Sequence, residues 1–280
     1  MNAYVLVAWL HVLTMVAFVG YALLFTIVAL GSRREDPGFL RRLAWTRWPP
    51  MVVPRPLRLP LHALGWGMLL VLFVSGMWLL HYRGKTMDDV ALKLILLGGV
   101  FGGQLALTFR PNAFAAAGTL LFALGASAVS VLVRTGAELD LVRACTMLHF
   151  AALGLWIGHM ILWSIVVGPT KKRLQPASDA ELLGAASSRF GGLGWPALFV
   201  LVATGLVMLN ARGIGVETVT SGELFSDPSL RRFGFKFVLV LGMVAYQAVI
   251  GHRPAPKLIY ANMLAAFAII GLSVWIVRVA

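Results

Sequence analysis

Acidic residues and cysteine are scarce in this 280-residue chain, which holds 11 Asp and Glu and one cysteine. The lone Cys145 excludes an internal disulfide framework and any paired-cysteine metal or redox motif. No Asp or Glu falls inside a long apolar run, which argues against a proton relay of intramembrane carboxylates. A nucleophile elbow, a phosphate-binding loop and a zinc-protease helix motif are also absent.

Apolar residues make up 59% of the sequence, and the mean hydropathy is +0.85. These values lie far outside the range of soluble domains and predict a polytopic membrane protein. The formal net charge is +13, but the basic residues sit in short loops between apolar runs, where they orient the chain in the bilayer. We therefore predict membrane lipid as a partner and no nucleic acid.

Eight apolar runs are long enough to cross a bilayer, and they predict an all-α fold of eight transmembrane helices. They cover residues 4–30, 59–81, 90–109, 113–133, 144–167, 191–209, 233–250 and 258–277. The first run lacks a basic start and is too long for a signal peptide, so we expect it to span. Loop 31–58 carries seven arginines against Glu35 and Asp36, which predicts a cytoplasmic loop and periplasmic termini.

Two stretches of the sequence share one layout, LKLILLGGVFGGQLALTFRP from Leu92 and RRFGFKFVLVLGMVAYQAVIGHRP from Arg231. In each, a lysine precedes a glutamine by eleven residues, as Lys93 with Gln104 and Lys236 with Gln247. Eleven residues are about three helical turns, so the two polar groups share one helix face. Such groups need partners inside the protein.

The internal similarity extends to the other helices. HVLTMVAFVG from His11 matches HFAALGLWIG from His149, and ALGWGMLLVLFVSG from Ala63 matches GLGWPALFVLVATG from Gly192. We therefore predict two four-helix repeats, residues 1–135 and 136–280. An even number of crossings gives both halves one orientation, related by a pseudo-two-fold axis along the membrane normal.

Two histidines occupy matching positions near the outer surface. His11 and His149 each lie about 10 Å inside their helices, and imidazole is a common ligand of copper, zinc and haem iron. Met15 and Met147 lie nearby in sequence and offer thioether ligands for Cu(I). His159, whose counterpart is Tyr21, is a candidate for a second, deeper position.

Further polar side chains are expected at the same end of the bundle. Lys93, Lys236 and His81 predict a polar cluster in the outer third of the membrane, although each lysine alternatively reaches the headgroups. Trp156 follows His149 by two turns and is expected to pack, as are the paired glutamines. His62 is expected at the opposite membrane interface.

The second half resembles the copper resistance protein D (CopD-like) family. The similarity is carried by Arg189-Phe190, Thr204-Gly205 and Gly234-x-Lys236, within SSRFGGLGWPALFVLVATGLVML and LRRFGFKFVLVLGMVAYQAVIGHRP. HFAALGLWIGHM also resembles the first helix shared with HemJ-type protoporphyrinogen oxidases. The first resemblance implies an eight-helix inner-membrane protein that handles periplasmic copper. The second implies a haem ligated by histidine, carried to His149 and Lys236 and, through the repeat, to His11 and Lys93.

Three functions are therefore expected from the sequence. The leading one is a permease that accepts copper through His11 and His149 and passes it inward, with a periplasmic copper-binding protein as a partner. Lys93 and Lys236 oppose a free cation there. The alternative is a haem b protein for electron transfer or tetrapyrrole oxidation, in which these lysines pair the haem propionates. The third is an accessory subunit of a larger membrane complex.

Overall fold

A backbone surrounded by lipid must satisfy its own hydrogen bonds, so apolar runs of this length fold as helices. The computed structural model describes residues 3–31, 55–84, 86, 90–135, 140–162, 177–227, 230–250 and 256–279. Every regular element in these ranges is helical. They are α1 (Ala3–Gly31), α2 (Arg55–Tyr82), α3 (Ala91–Phe109), α4 (Ala113–Thr135), α5 (Leu141–Leu153), a π-helical turn (Gly154–Gly158), α6 (His159–Leu162), α7 (Ala177–Asn210), α8 (Val216–Thr220), α9 (Glu223–Ser226), α10 (Arg231–Ile250) and α11 (Pro256–Val279).

Six of these helical segments are long and apolar enough to cross a membrane: Ala3–Ile27, Arg58–Tyr82, Ala91–Phe109, Ala113–Val131, Leu141–Gly158 and Gly192–Asn210. The chain is thus a multi-pass helical membrane protein. Helices α10 and α11 occupy the last two predicted spans, and α11 contributes the shorter apolar stretch Met263–Val274. Large apolar side chains on the outer surfaces of these helices are exposed, as lipid-facing residues would be. The arginine-rich loop predicted to be cytoplasmic lies mostly outside the described residues.

Helix α1 lies at the centre of the bundle and packs against α2, α4, α5, the π-helical turn and α11. Its inner residues divide into two apolar clusters. Phe18, Tyr21 and Phe25 pack with α2, α3 and α4. Val16 packs instead with Trp156 and the helices of the second half. α1 thereby joins the two halves of the chain.

Glycines set the closest approaches in the bundle. A methyl group at Gly158 would meet the backbone of Val16 and Gly20, and one at Gly154 would meet Val19 at 2.6 Å. Gly99 and Gly103 admit Phe122 and Thr119 of α4 in the same way. Small residues at four-residue spacing are the usual means of tight helix packing in membranes.

An aromatic group marks one end of the bundle, where α1 begins and α2 ends. Tyr4 lies 4.6 Å from Tyr82 and 6.0 Å from Trp78 between ring centroids, and its hydroxyl oxygen accepts a 2.6 Å hydrogen bond from Arg83. Aromatic and arginine side chains gather at the boundary between lipid and water. We call this end the N-terminal face, and the starts of α3, α5 and α10 share it by the alternation of helix directions.

Candidate functional site

His11 of α1 and Ser75 of α2 form one interhelical hydrogen bond. Nδ1 of His11 lies 2.8 Å from Oγ of Ser75, and the same oxygen lies 2.5 Å from the carbonyl oxygen of Val71 on its own helix. The serine side chain is buried, whereas the imidazole is partly buried. A hydroxyl that bonds back to its own helix is thus presented to the histidine with a fixed direction.

His149 of α5 and Thr204 of α7 repeat that arrangement. Nδ1 of His149 lies 3.0 Å from Oγ1 of Thr204, which lies 2.6 Å from the carbonyl oxygen of Val200. Sequence alignment of the two halves places Thr204 on Ser75 as well as His149 on His11. The same three groups, an imidazole, a hydroxyl and a valine carbonyl, therefore recur at matching positions, with threonine in place of serine.

The hydroxyl bonds fix which imidazole nitrogen carries the proton. A hydroxyl has one proton, and at 2.5 and 2.6 Å Ser75 and Thr204 donate it to a carbonyl oxygen. Each hydroxyl oxygen can then only accept, so Nδ1 of each histidine must donate. In a neutral imidazole with its proton on Nδ1, Nε2 carries the lone pair. His149 also forms a hydrogen bond with the backbone of Leu201. A metal-ligating imidazole commonly donates its other ring N–H to a protein acceptor.

Glycine follows the hydroxyl residue in both helices and makes room for the imidazole. A Cβ at Gly76 would lie 3.3 Å from Cε1 of His11, and one at Gly205 would lie 3.8 Å from Cε1 of His149. The first contact is tighter than ordinary van der Waals distance. The Ser75-Gly76 pair thus serves two purposes, since Ser75 bonds the ring and Gly76 lets it approach α2, whereas a Cβ at Gly205 would be in ordinary contact with His149.

Positive charge surrounds each histidine. Lys93 and Arg83 both lie within electrostatic range of His11, while Lys236 lies within range of His149 and Arg212 within range of Lys236. Lys93 and Lys236 are partly buried, and neither forms an ion pair with a described residue. Arg83 and Arg212 also occupy aligned positions in the two halves. Each site therefore combines one imidazole with a lysine and an arginine and holds an excess of positive charge.

The structure gives less information about the other predicted ligands. Met15 and Met147 are partly buried. Met208 of α7, absent from the sequence prediction, brings sulfur into the seam beside His149, where its Sδ lies 3.3 Å from Oγ1 of Thr146. The side chains of His159 and Gln247 lie outside the described residues. Among the residues that the structure describes, His, Cys, Asp and Glu form no cluster of three that would hold a metal ion.

The two histidines of α2 differ in burial. His81 is exposed at the end of α2, and Arg83 at that same end lies within electrostatic range of His11. His62 is expected at the membrane interface, but its side chain is only 7% exposed and packs against Phe25 of α1. Burial follows from its position on the α2 face that meets α1. The α2 sequence alone does not reveal that face.

Gln104 and Trp156 are buried, as predicted for structural positions. Gln104 is fully buried and donates a 2.9 Å hydrogen bond from Nε2 to the hydroxyl of Tyr21. Trp156 lies in the π-helical turn and packs in the apolar cluster of the second half. The partner that a buried glutamine requires is thus a tyrosine on α1, which the sequence did not indicate.

No family model matches this chain, and no curated protein or solved structure shows significant similarity to it. The resemblance to the CopD-like and HemJ-type families thus stays a prediction.

The residues that the sequence analysis missed are the hydroxyl partners of the two histidines. They could have been found from the alignment, because Ser75 and Thr204 are small polar residues at matching positions in otherwise apolar helices.

The residues present fit a haem group in two respects. A ring nitrogen with a lone pair and a fixed orientation suits an axial ligand of haem iron. The nearby ammonium and guanidinium groups suit carboxylates such as the haem propionates, which cations bind by charge-assisted hydrogen bonds. A porphyrin supplies four nitrogen ligands of its own, so a single imidazole would be enough as the protein's ligand to a haem iron.

Proposed function

We propose that the chain is an eight-span membrane protein of two four-helix halves, residues 1–135 and 136–280, in which each half binds one haem b. The histidine–hydroxyl pair repeated at aligned positions is the observation that carries this proposal. Helix contacts support the two halves, because α4 packs on α5 just as α11 packs on α1. Those are equivalent pairs if helices one and five, and four and eight, correspond.

In this function His11 and His149 would hold the haem iron through Nε2. Ser75 and Thr204 hold the rings in the Nδ1–H tautomer, and Gly76 and Gly205 keep space beside them. The haem would supply one-electron redox chemistry when bound. A b-type haem rather than a covalently attached one is expected, because covalent attachment requires a CxxCH motif and the chain has one cysteine.

The cations favour haem over a free copper ion. Lys93 with Arg83, and Lys236 with Arg212, would neutralise propionates at the N-terminal face. The same charges would repel Cu⁺ or Cu²⁺ bound at these histidines, because like charges at low effective dielectric oppose each other. By the charge bias of the loops, this face is periplasmic and the membrane is the bacterial inner membrane.

Copper binding is a second candidate, favoured by one observation in the second half. Met208 stands one turn beyond Thr204 on α7, and its sulfur reaches Thr146, which lies one turn before His149. A thioether and an imidazole in one seam are ligands that Cu(I) accepts. The aligned position in the first half is Leu79, so this function would use one half only.

An absorption spectrum of the purified protein, with iron and copper analysis, tests the proposal. Haem binding predicts a Soret band and about two irons per chain. His11→Ala and His149→Ala should each remove one iron, and the double variant should remove both. A protein with copper but no Soret band, losing its copper only in His149→Ala and Met208→Leu, would establish the second candidate instead.

The chain offers a matched control for these substitutions. His81 lies at the same end of the bundle but is exposed, so His81→Ala should keep the full Soret absorbance. Equal iron content in wild type and the double variant, measured on protein with an unchanged helical circular dichroism spectrum, would reject both histidines as ligands.

A further inference from the structure

A second polar site lies deeper in the first half, among α1, α2 and α3. Within the described residues, three buried side-chain atoms have no hydrogen-bond partner: Nδ1 and Nε2 of His62 and Oε1 of Gln104. Gln104 is fully buried and His62 is 7% exposed. Each unpaired polar atom at such a position costs about 1–3 kcal/mol, so three in one region demand a partner.

Gln104 meets Tyr21 and Gly65 at one point. The amide Nε2 lies 2.9 Å from the Tyr21 hydroxyl. A Cβ at Gly65 would lie 2.6 Å from that nitrogen and 2.7 Å from the tyrosine oxygen. The amide and the hydroxyl therefore lie directly against the backbone of α2, and Gly65 is the residue that admits them.

Reversing the amide of Gln104 does not remove the shortage. As oriented, Nε2 donates to Tyr21, and both Oε1 and the tyrosine proton need partners. If the amide is flipped, the Tyr21 hydroxyl donates to Oε1, but the two N–H groups of Nε2 are then unpaired. Either orientation leaves at least one buried polar group of the pair without a partner: Oε1 in need of a donor as oriented, or N–H groups in need of an acceptor when flipped.

His62 lies beside this point, one helical turn from Gly65. Residues three apart on a helix lie on the same face, so His62 and Gly65, against which the Gln104 amide lies, face the same side of α2. The rings of Tyr21, Phe25 and His62 form a continuous series, with centroids 4.9 and 5.7 Å apart. The apolar rings enclose the polar atoms on the α1 side.

We infer that His62, Gln104 and Tyr21 form a hydrated site that binds water inside the first half of the bundle. Water matches the required chemistry, because it donates to Oε1 or to an imidazole nitrogen and accepts from the Tyr21 hydroxyl. Buried waters in proteins typically bridge two to four such groups. The site lies about 15 Å along α1 from His11, so it is independent of the proposed haem site.

Radiolytic hydroxyl labelling of the whole protein in detergent tests this inference, because radicals formed from bound water modify the side chains that touch it. Tyr21 and Phe25 are 0% and 1% exposed and should nonetheless be labelled within milliseconds. Met243 is the internal control, since it is also 1% exposed, lies in the other apolar cluster, and carries an intrinsically more reactive side chain. Exposed Tyr82 reports the labelling expected from bulk solvent.

Substitutions then assign the water to the named side chains. His62→Leu and Gln104→Leu, checked for helical content and a single size-exclusion peak, should each reduce labelling of Phe25 by at least about half while leaving Tyr82 unchanged. Labelling of Tyr21 and Phe25 no faster than that of Met243 in the wild type would overturn the inference. That wild-type comparison decides the matter even if a variant fails to fold.

Discussion

Gly158 of the π-helical turn lies directly against Gly20 of α1, so that a methyl group at 158 would stand 2.8 Å from the amide nitrogen of Gly20. The two glycines occupy aligned positions in the two halves. A contact between equivalent residues is what a pseudo-two-fold axis through this crossing would produce. The π-helical turn lies at this crossing, which is consistent with a local distortion of the α5 helix where α1 approaches most closely.

Gly158→Ala should destabilise the protein markedly. The added methyl would meet backbone atoms of Val16 and Gly20, and backbone cannot move aside as a side chain can, so we expect a loss of about 1–3 kcal/mol or more. Thermal unfolding in detergent, followed by circular dichroism, measures this loss.

Gly67→Ala is the matched control for this crossing. Gly67 lies mid-helix in α2 and would meet nothing within 4 Å, so its substitution should be neutral or slightly stabilising. Equal melting midpoints for the two variants would contradict the tight crossing.

Ser75→Ala and Thr204→Ala should weaken the proposed metal or haem binding without removing a ligand. Each loses the acceptor that holds Nδ1–H, and loss of such a supporting hydrogen bond typically costs about 10–100-fold in affinity. Ser75→Thr should bind normally, because threonine stands at the aligned position in the other half. Titration of the apoprotein with haem or Cu(I) gives the affinities.

Ser127→Ala separates this effect from a general loss of helix hydroxyls. Ser127 is buried and donates a 2.8 Å hydrogen bond to the carbonyl of Ala123 on its own helix, but among the described residues the hydroxyl bonds to histidine are made by Ser75 and Thr204. Its substitution should leave affinity unchanged. If Ser127→Ala weakens binding as much as Ser75→Ala, the hydroxyls act on the fold and not on the imidazoles.

The positions of the helices could largely be predicted from the sequence, whereas the helix faces that pack against each other could not. Hydropathy located every described long helix within a few residues, except that α7 begins at Ala177 rather than near residue 191. A backbone surrounded by lipid must satisfy its own hydrogen bonds within a helix, so the local sequence is enough to predict where these helices lie. Which face of α2 meets α1 depends on packing among several helices, and the buried position of His62 could not be read from α2 alone.

The repeated positions of the two histidines could be predicted from the sequence, whereas the charged residues around them could be predicted only in part. The internal alignment identified His11 and His149, and depth along the helix brought Lys93 and Lys236 to the same end. Arg83 is one residue beyond α2 and Arg212 is two residues beyond α7, where a charged residue is normally assigned to solvent. Only the fold shows that Arg83 acts on His11.

Gly65→Ala should separate Tyr21 from Gln104. The new methyl would stand 2.6–2.7 Å from both polar groups, and two fully buried side chains would have to move, at a cost of about 1–3 kcal/mol. The tyrosine would lose its amide partner, and labelling of Tyr21 by radiolysis should change. Gly98→Ala, where a Cβ would meet nothing within 4 Å, is the control, and an unchanged melting midpoint in Gly65→Ala would show that the pair is not held there.

The lysines distinguish a carboxylate-bearing ligand from a bare metal ion. Lys93→Met and Lys236→Met keep much of the side-chain volume but remove the charge that acts on His11 and His149. If each lysine pairs a haem carboxylate, both substitutions should weaken haem binding, by about 10-fold for each lost ion pair of roughly 1.4 kcal/mol. Lys93→Arg and Lys236→Arg should retain most of the affinity.

For copper, replacing a lysine by methionine should change the affinity in the opposite direction. If the second half binds copper, removing the nearby positive charge favours the bound cation. Lys236→Met should then tighten Cu(I) binding at His149 and Met208, and the protein should show no haem absorbance. Competition titration with a chromogenic Cu(I) chelator measures this affinity against the haem titration of the same variant. Weaker haem binding in both methionine variants, together with recovery in the arginine variants, requires cations at these two positions. Unchanged affinity for both ligands would place the ammonium groups in the headgroup region, away from either site.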